Sequence, residues 1–156
     1  MDINNLMETL TAALADDASI SDWAASEYGR SHKVFENIDM REPPDKDDCP
    51  LVAVRPDTKT GGLNHDGKEH ILVFGFLVLD DERPVDAHGV IRFKGGRQAE
   101  EFRKLAFSVI ENNIPADGHI MEVETEYDTI SQFPYIFVNM TVLITEPKTI
   151  GTDPFE

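Results

Sequence analysis

Apolar residues recur at helical spacing in three segments of the chain. The first segment covers residues 2–15, and the second covers 22–28, where Ser21 can cap its start and Gly29 can end it. The third covers residues 97–113 and follows a pair of glycines. Its buried stripe consists of Ala99, Phe102, Leu105, Ala106, Val109 and Ile110. The pattern therefore predicts two N-terminal helices and one long helix in the second half of the chain.

Strand-like runs fill most of the remaining chain. We predict strands at 34–35, 51–55, 70–79, 85–93, 119–127 and 135–145. Pro56 ends the second of these runs, the polar stretch 57–69 reads as a loop, and 80–84 reads as a turn. We expect 85–93 to be the strand that returns beside 70–79.

The run His70–Leu79 is apolar at both odd and even positions. A strand with this pattern is covered on both faces. We therefore expect a second layer over it, supplied by its own domain or by a partner.

Alternation also predicts the register of the last two strands. The odd positions of 119–127 and the even positions of 135–145 are mostly apolar, so odd residues must oppose even ones. The outward face then carries an acidic stripe of Glu122, Glu124 and Glu126 beside Asn139, Thr141 and Phe137.

These elements predict an α+β fold with a mainly antiparallel sheet, packed by an N-terminal helix and by one long helix between strand pairs. The 156 residues suit one domain, which we place at 1–147, with a short polar C-terminal tail at 148–156. A chain of this length buries about 70% of its unfolded surface.

Charge restricts the classes of partner. There are 30 acidic side chains against 14 Lys and Arg, for a net charge of -16. Broad neutralisation of nucleic-acid phosphates, or of an anionic membrane surface, needs clustered cations and is disfavoured. With one cysteine and no basic, apolar leader at the N-terminus, we expect a soluble intracellular protein without disulfides.

Candidate catalytic or metal-binding groups are sparse. A metal site would draw on His65, Asp66, His70, Asp80, Asp81, Asp86 and His88, but their spacing matches no metal motif. Cys49 follows Asp47 and Asp48, which disfavour a thiolate, so we interpret it as a small buried residue. No phosphate-binding glycine loop or nucleophile elbow is present. We expect no enzyme activity, no metal and no cofactor.

Charged residues are segregated along the sequence. The acidic set predicted for a subunit interface is Asp39, Glu42, Asp45, Asp47 and Asp48. The basic set is Arg92, Lys94, Arg97, Arg103 and Lys104. Two interpretations remain open: both sets are ordinary solvated surface, or they are complementary patches for a head-to-tail contact that closes a ring.

Two stretches carry a family resemblance. "YGRSHKVFENIDMREPPDKDDCPLVAV" places an acidic turn and a proline before a core strand, and "FPYIFVNMTVLITEP" forms the final strand. With the order of helices and strands, this layout resembles the tail-terminator, or tail-completion, proteins of tailed phages and prophages, the lambda U group.

The resemblance implies a non-enzymatic assembly protein in the host bacterial cytoplasm and then in the virion tail. Such proteins form a ring, commonly a hexamer, that caps the tail tube, stops its growth and offers the head-attachment surface. The implied partners are further copies of the chain, the tail tube protein and a head-completion or connector protein, with no membrane and no sequence-specific nucleic acid. The alternatives are another head–tail connector or tube morphogenesis protein, or an acidic inhibitor that mimics DNA.

Overall fold

The computed structural model describes residues 2–62, 67–80 and 82–147. Its helices are α1 (Ile3–Asp16), α2 (Ala18–Tyr28) and α3 (Gly95–Asn112). Its strands are β1 (Lys33–Glu36), β2 (Leu51–Thr60), β3 (Gly67–Leu79), β4 (His119–Asp128) and β5 (Tyr135–Pro147). A single turn of 3-10 helix, Lys46–Asp48, precedes β2. The predicted C-terminal tail, 148–156, lies outside the described residues.

The five strands form one sheet in the order β1-β2-β3-β5-β4. β1 runs parallel to β2, and every other neighbouring pair is antiparallel. With α1 and α3 packed against it, this mostly antiparallel sheet confirms the predicted α+β class.

The caps of the N-terminal helices confirm one prediction and correct another. Gly29 ends α2 in the left-handed conformation, with φ 71°, as expected. The second helix nevertheless begins earlier than predicted. Asp17, not Ser21, caps it by accepting a 2.9 Å hydrogen bond from the backbone N–H of Ile20.

One face of the sheet carries the main core. Even-numbered residues of β2, β3 and β5 point toward the helices, and Phe74, Phe76 and Val138 among them are fully buried. Phe102 of α3 packs on Phe76 with ring centroids 5.1 Å apart, in an edge-to-face arrangement. The predicted apolar stripe of α3 is therefore the contact between helix and sheet, and Leu105 and Val109 are its half-buried margins.

The second strand is longer than predicted. β2 continues to Thr60 and forms a hairpin with β3, so the loop predicted at 57–69 is wrong for 57–60 and for 67–69. A shift in register between Pro56 and Thr58 explains the error. A proline in a strand reads as its end, but a bulge accommodates one without ending the pairing.

The strand predicted at 85–93 is also wrong. Between Leu79 and Gly95 the described residues form only an isolated bridge, Val85 to Ile91. β3 already has β2 on one side and β5 on the other, so neither edge of β3 is free for a returning strand.

The register of the last hairpin is confirmed from Glu122 onward. Val123 faces Val142 and Glu124 faces Thr141, so odd residues oppose even ones. Nearer the start of β4, Ile120 faces Ile144, and an irregularity between Ile120 and Glu122 changes the parity. β4 is an edge strand, and Val123 keeps 36% of its surface exposed, which is more than the sequence pattern suggested.

Candidate assembly surfaces

The segment after β1 crosses the sheet face that the helices leave free. Asn37, with φ 61°, turns the chain out of β1. Below the crossing lie the odd-numbered residues of β2, β3 and β5. Leu51 and Leu77 there form a second, smaller apolar cluster with Cys49. The second layer expected over β3 is therefore supplied in part by the chain itself.

A groove remains open between this crossing segment and the sheet. We call it the outer groove; it has a volume of about 530 Å³. Its lining comprises Asn37, Ile38, Met40, Pro43, Pro44, Leu51, Ala53, Arg55, Val73, Gly75, Leu77, Phe137 and Asn139. Ala53, Gly75 and Asn139 lie side by side across three strands and form the floor of the groove. The small side chain of Ala53 and the lack of one at Gly75 leave room above the sheet. The lining is mostly apolar, with Arg55 as its charged member.

The predicted acidic residues lie on and beyond the crossing segment, where most have local partners. Asp45 and Asp48 form a capping box around the 3-10 turn. Asp48 also lies 2.6 Å from the ammonium of Lys33, and this hydrogen bond lowers the pKa of Asp48. Asp39 accepts two hydrogen bonds from the Arg41 guanidinium, which lowers its pKa as well. These carboxylates hold the segment in shape.

Arg30 anchors the same segment from the end of α2. Its Nε donates to the carbonyl of Cys49 at 2.7 Å, and its Nη2 donates to the carbonyl of Lys46 at 2.8 Å. Asp47 lies 4.0 Å from the same guanidinium, at the limit of an ion pair. Glu42, the fifth predicted acid, is exposed.

Of the predicted basic residues too, some have local acidic partners and others are simply exposed. Arg92 lies 2.6 Å from Asp86, and Lys94 lies 3.0 Å from Glu82. Arg97 and Lys104 are exposed on α3, two turns apart and therefore on the same side of the helix.

The last of the basic residues, Arg103, belongs to a partly buried cluster centred on Glu100, at the edge of the helix–sheet contact. Its guanidinium donates two hydrogen bonds to Glu100, at 2.6 and 2.8 Å, and Tyr127 donates a third at 2.7 Å. The Arg103 bonds, more than the Tyr127 bond, lower the pKa of Glu100 to about 2. Glu100 therefore joins α3 to β4, and Arg103 serves the fold by holding Glu100 in place.

The two predicted interface sets do not lie together. α3 packs on the core face of the sheet, and the segment at 37–44 lies on the opposite face. Within one copy of the chain, the two sets therefore do not contact each other. Whether they meet between copies stays a prediction.

Sequence reasoning missed a second apolar surface. It is a cavity of about 560 Å³ where the stretch before α3 meets the turn between β4 and β5, and we call it the second groove. Its apolar lining includes Phe93, Ile130 and Phe133, which are 47–83% exposed. Earlier in the same stretch, Val85, Val90 and Ile91 are 42–62% exposed. The rings of Phe93 and Phe133 meet edge to face with centroids 5.4 Å apart. The signal in the sequence is the apolar run Val90–Phe93, whose alternation predicts a strand instead.

The acidic stripe predicted on β4 is present. Glu122, Glu124 and Glu126 are all exposed or nearly so, and the latter two face Thr141 and Asn139 across the strand pair. On an edge strand these charges oppose pairing with a further strand.

Cys49 is a buried thiol. Only 1% of its surface is exposed, and burial, more than the neighbouring Asp48 and Asp45, raises its pKa to about 11. The direction of the shift is the one predicted, although burial is the larger cause. Thiolate chemistry at neutral pH is disfavoured.

The metal-binding candidates do not converge where they can be placed. His65, Asp66 and Asp81 lie outside the described residues. His70 is fully buried, its Nε2 lies 3.8 Å from Glu146, and burial lowers its pKa. Within the part of the chain that the structure describes, no three His, Cys, Asp or Glu side chains group as a metal site. No helix in the same residues is both long and apolar enough to cross a membrane.

The chain has the fold of a known virion component over nearly its whole length. That component is a chain from the "Virion of native gene transfer agent (GTA) particle", matched with a TM-score of 0.50 and 14% identity. The match covers 92% of this chain and 95% of that one. No protein-family model matches the sequence, and no curated protein matches it. At this identity the likeness establishes the fold.

Proposed function

We propose that this chain is a non-enzymatic structural protein of a tailed phage or phage-like particle. In this proposal it caps the head-proximal end of the tail tube as a ring, a hexamer by the resemblance to tail terminators. It stops growth of the tube there and offers the surface to which the head attaches.

The observation that carries the proposal is the fold shared with a virion chain from end to end. The match spans 92% of this chain and 95% of the other, so it is a likeness of whole proteins and not of a common substructure. The layout of the sequence points independently to the same class, since "DDCPLVAV" and the final strand resemble tail-terminator features on the amino-acid sequence alone.

The outer groove and the second groove are consistent with assembly. A monomeric protein rarely exposes a large contiguous apolar patch, and this chain has both an open apolar groove and an exposed cluster of aromatic and branched residues. The proposed partners are further copies of the chain, the tail tube protein and a head-completion or connector protein. The proposed location is the host cytoplasm during assembly and the virion tail afterwards.

Co-sedimentation tests the choice among the alternatives. Purified chain is mixed separately with tail tubes that lack a terminator, with mature tails, with DNA-filled heads and with a basic DNA-binding protein. A tail terminator sediments with the bare tubes and not with mature tails, whose ends are already capped. Binding to heads alone would indicate a connector, and tight binding to the basic protein alone would indicate a DNA mimic; either result contradicts the proposal.

A further inference from the structure

We infer that His70 makes one end of the sheet sensitive to acid. At neutral pH its uncharged ring closes the core at that end, and protonation of the ring opens the end of the hairpin formed by β2 and β3. This property belongs to the folded chain whether or not the chain caps a tail tube.

His70 is the last core side chain at its end of the sheet. It is the first buried residue of β3, and it faces the helices together with Leu72. Its partner on β2, Lys59, is exposed, and its partner on β5, Ile144, is followed only by half-buried and exposed residues. Among the described residues of these three strands, no fully buried side chain lies beyond the ring. Backbone pairing therefore holds the end of the hairpin with little help from the core.

The ring of His70 is buried without hydrogen bonds. Neither Nδ1 nor Nε2 has a hydrogen-bond partner among the described residues. Nε2 lies 3.8 Å from Oε2 of Glu146, which is too far for a hydrogen bond. A buried ring with unpaired nitrogens lowers stability even when it is neutral. As a cation it would be much more costly to bury, because a buried charge needs close partners.

The charges around the ring act in both directions. Burial is the main reason that the pKa of His70 is lowered, and the ammonium of Lys59 on β2 lowers it further. The carboxylate of Glu146 on β5 opposes this shift, and the N-terminal amino group ahead of α1 adds a smaller lowering effect. Lys68, on the same face of β3, acts on Glu146. The balance keeps the ring neutral in the folded chain.

The lowered pKa fixes the direction of the pH dependence. An opened chain takes up a proton near the ordinary pKa of 6.5, whereas the folded chain does so only at lower pH. The destabilising effect of protonation is therefore absent well above pH 6.5 and grows as the pH falls toward the folded pKa. We expect the loss to appear first as local opening of the hairpin end, which has the least buried surface.

Urea denaturation of wild type and His70→Leu tests this dependence. From about pH 7.5 to 5.5, the unfolding equilibrium constant of wild type should rise by up to about tenfold more than that of the variant, the limit for a ring that stays neutral in the folded chain. The matched control is His119→Gln, which removes an exposed histidine on β4 and should keep the wild-type pH dependence. Parallel curves for wild type and His70→Leu would overturn the inference, as would an equal flattening in His119→Gln.

Two measurements on the wild-type chain need no variant. In an NMR titration, the ring protons of His70 should shift at a pH below 6.5. Amide hydrogen exchange, corrected for the intrinsic effect of pH, should speed up at 57–60 and 67–70 in mild acid and stay unchanged at 74–76. A ring that titrated at or above pH 6.5, or exchange that changed evenly along β3, would contradict an acid-sensitive end of the sheet.

Discussion

At the scale of single residues, the structure assigns several prominent side chains to the fold and not to chemistry. Cys49 is held in the small apolar cluster, and Glu100 bridges α3 and β4. Asp80 is a further example: it is buried, and it accepts a 2.8 Å hydrogen bond from the N–H of Gly95 at the start of α3. A side chain at Gly95 would collide with Asp80 and Ile136, at 2.7 Å from each.

The thiol of Cys49 is predicted to be inert in the folded chain. Because burial raises its pKa to about 11, a maleimide at neutral pH should label it at least ~100-fold more slowly than in denaturant. Met40→Cys is the control, since its added thiol is exposed and should label at an ordinary rate. Fast labelling of Cys49 in the native chain would show that the segment at 37–48 opens readily.

The Glu100 cluster predicts a specific pH dependence. Its pKa of about 2 in the folded chain is below the ordinary 4.5, so its stabilising effect is complete above pH 4.5 and is lost as the pH falls toward 2. Glu100→Gln should lower the free energy of unfolding at neutral pH by roughly 1–2 kcal/mol, after allowance for partial exposure.

Urea denaturation at several pH values measures this effect. The gap between wild type and Glu100→Gln should narrow as the pH falls from 4.5 toward 2, whereas the exposed Glu101→Gln should change little at any pH. A gap that stayed constant with pH would mean that packing, and not the charge of Glu100, accounts for the loss.

At the scale of elements, the sequence predicted correctly the features that depend on the local periodicity of apolar residues. The stripe of α3 and the register of the last hairpin could be read because each apolar position faces the same buried layer. The continuation of β2 past Pro56 could not be read in this way, because a bulge forms only through pairing with the partner strand. The outer groove could not either, because Arg30 fixes the segment beside it through carbonyls 16 and 19 residues away.

The run 85–93 shows an error of the other kind, because the described residues there form an isolated bridge instead of the predicted strand. Apolar residues at alternating positions predict a strand, but Val90, Ile91 and Phe93 are exposed. The sequence pattern shows which residues are apolar, but it does not show what covers them. An exposed apolar segment therefore gives the same sequence pattern as a strand that is buried in the core.

Lysine substitutions test the hairpin. Val142 is fully buried on β5, Val123 opposite it is 36% exposed, and Glu124 is exposed on the outer face. Glu124→Lys should change the free energy of unfolding by less than about 0.5 kcal/mol, and Val142→Lys should cost more than ~3 kcal/mol because it buries an unpaired charge.

The loss of stability caused by Val123→Lys should lie between these two values, since the long side chain can reach water from an edge strand. Thermal melts rank the three variants. If Val123→Lys destabilised the chain as much as Val142→Lys, the free protein would already cover β4, and the assignment of β4 as an open edge would be wrong.

At the scale of the whole molecule, the distribution of charge bears on the proposed contact between copies. Four of the five predicted acids and three of the five predicted cations have local partners, which leaves Arg97 and Lys104 as the exposed cations of the predicted set on α3. Overall repulsion between chains of net charge -16 should therefore dominate over patch pairing.

Self-association should accordingly strengthen between low and physiological salt, because screening weakens the repulsion. Arg97→Glu with Lys104→Glu takes the net charge from -16 to -20, two charges for each substitution, and should weaken association further. Sedimentation velocity over a salt series measures both effects. Association that weakened steadily with salt would show instead that attraction between the charged patches outweighs the overall repulsion.

The most direct measurement of the central claim is the length of tails made without this chain. The gene is deleted from the genome that carries it, and the tails are measured by electron microscopy. The account predicts tubes that run past their normal length without heads, and normal, uniform lengths once purified chain is supplied before assembly. Tails of normal length in the deletion strain would contradict the claim that this protein ends tube growth.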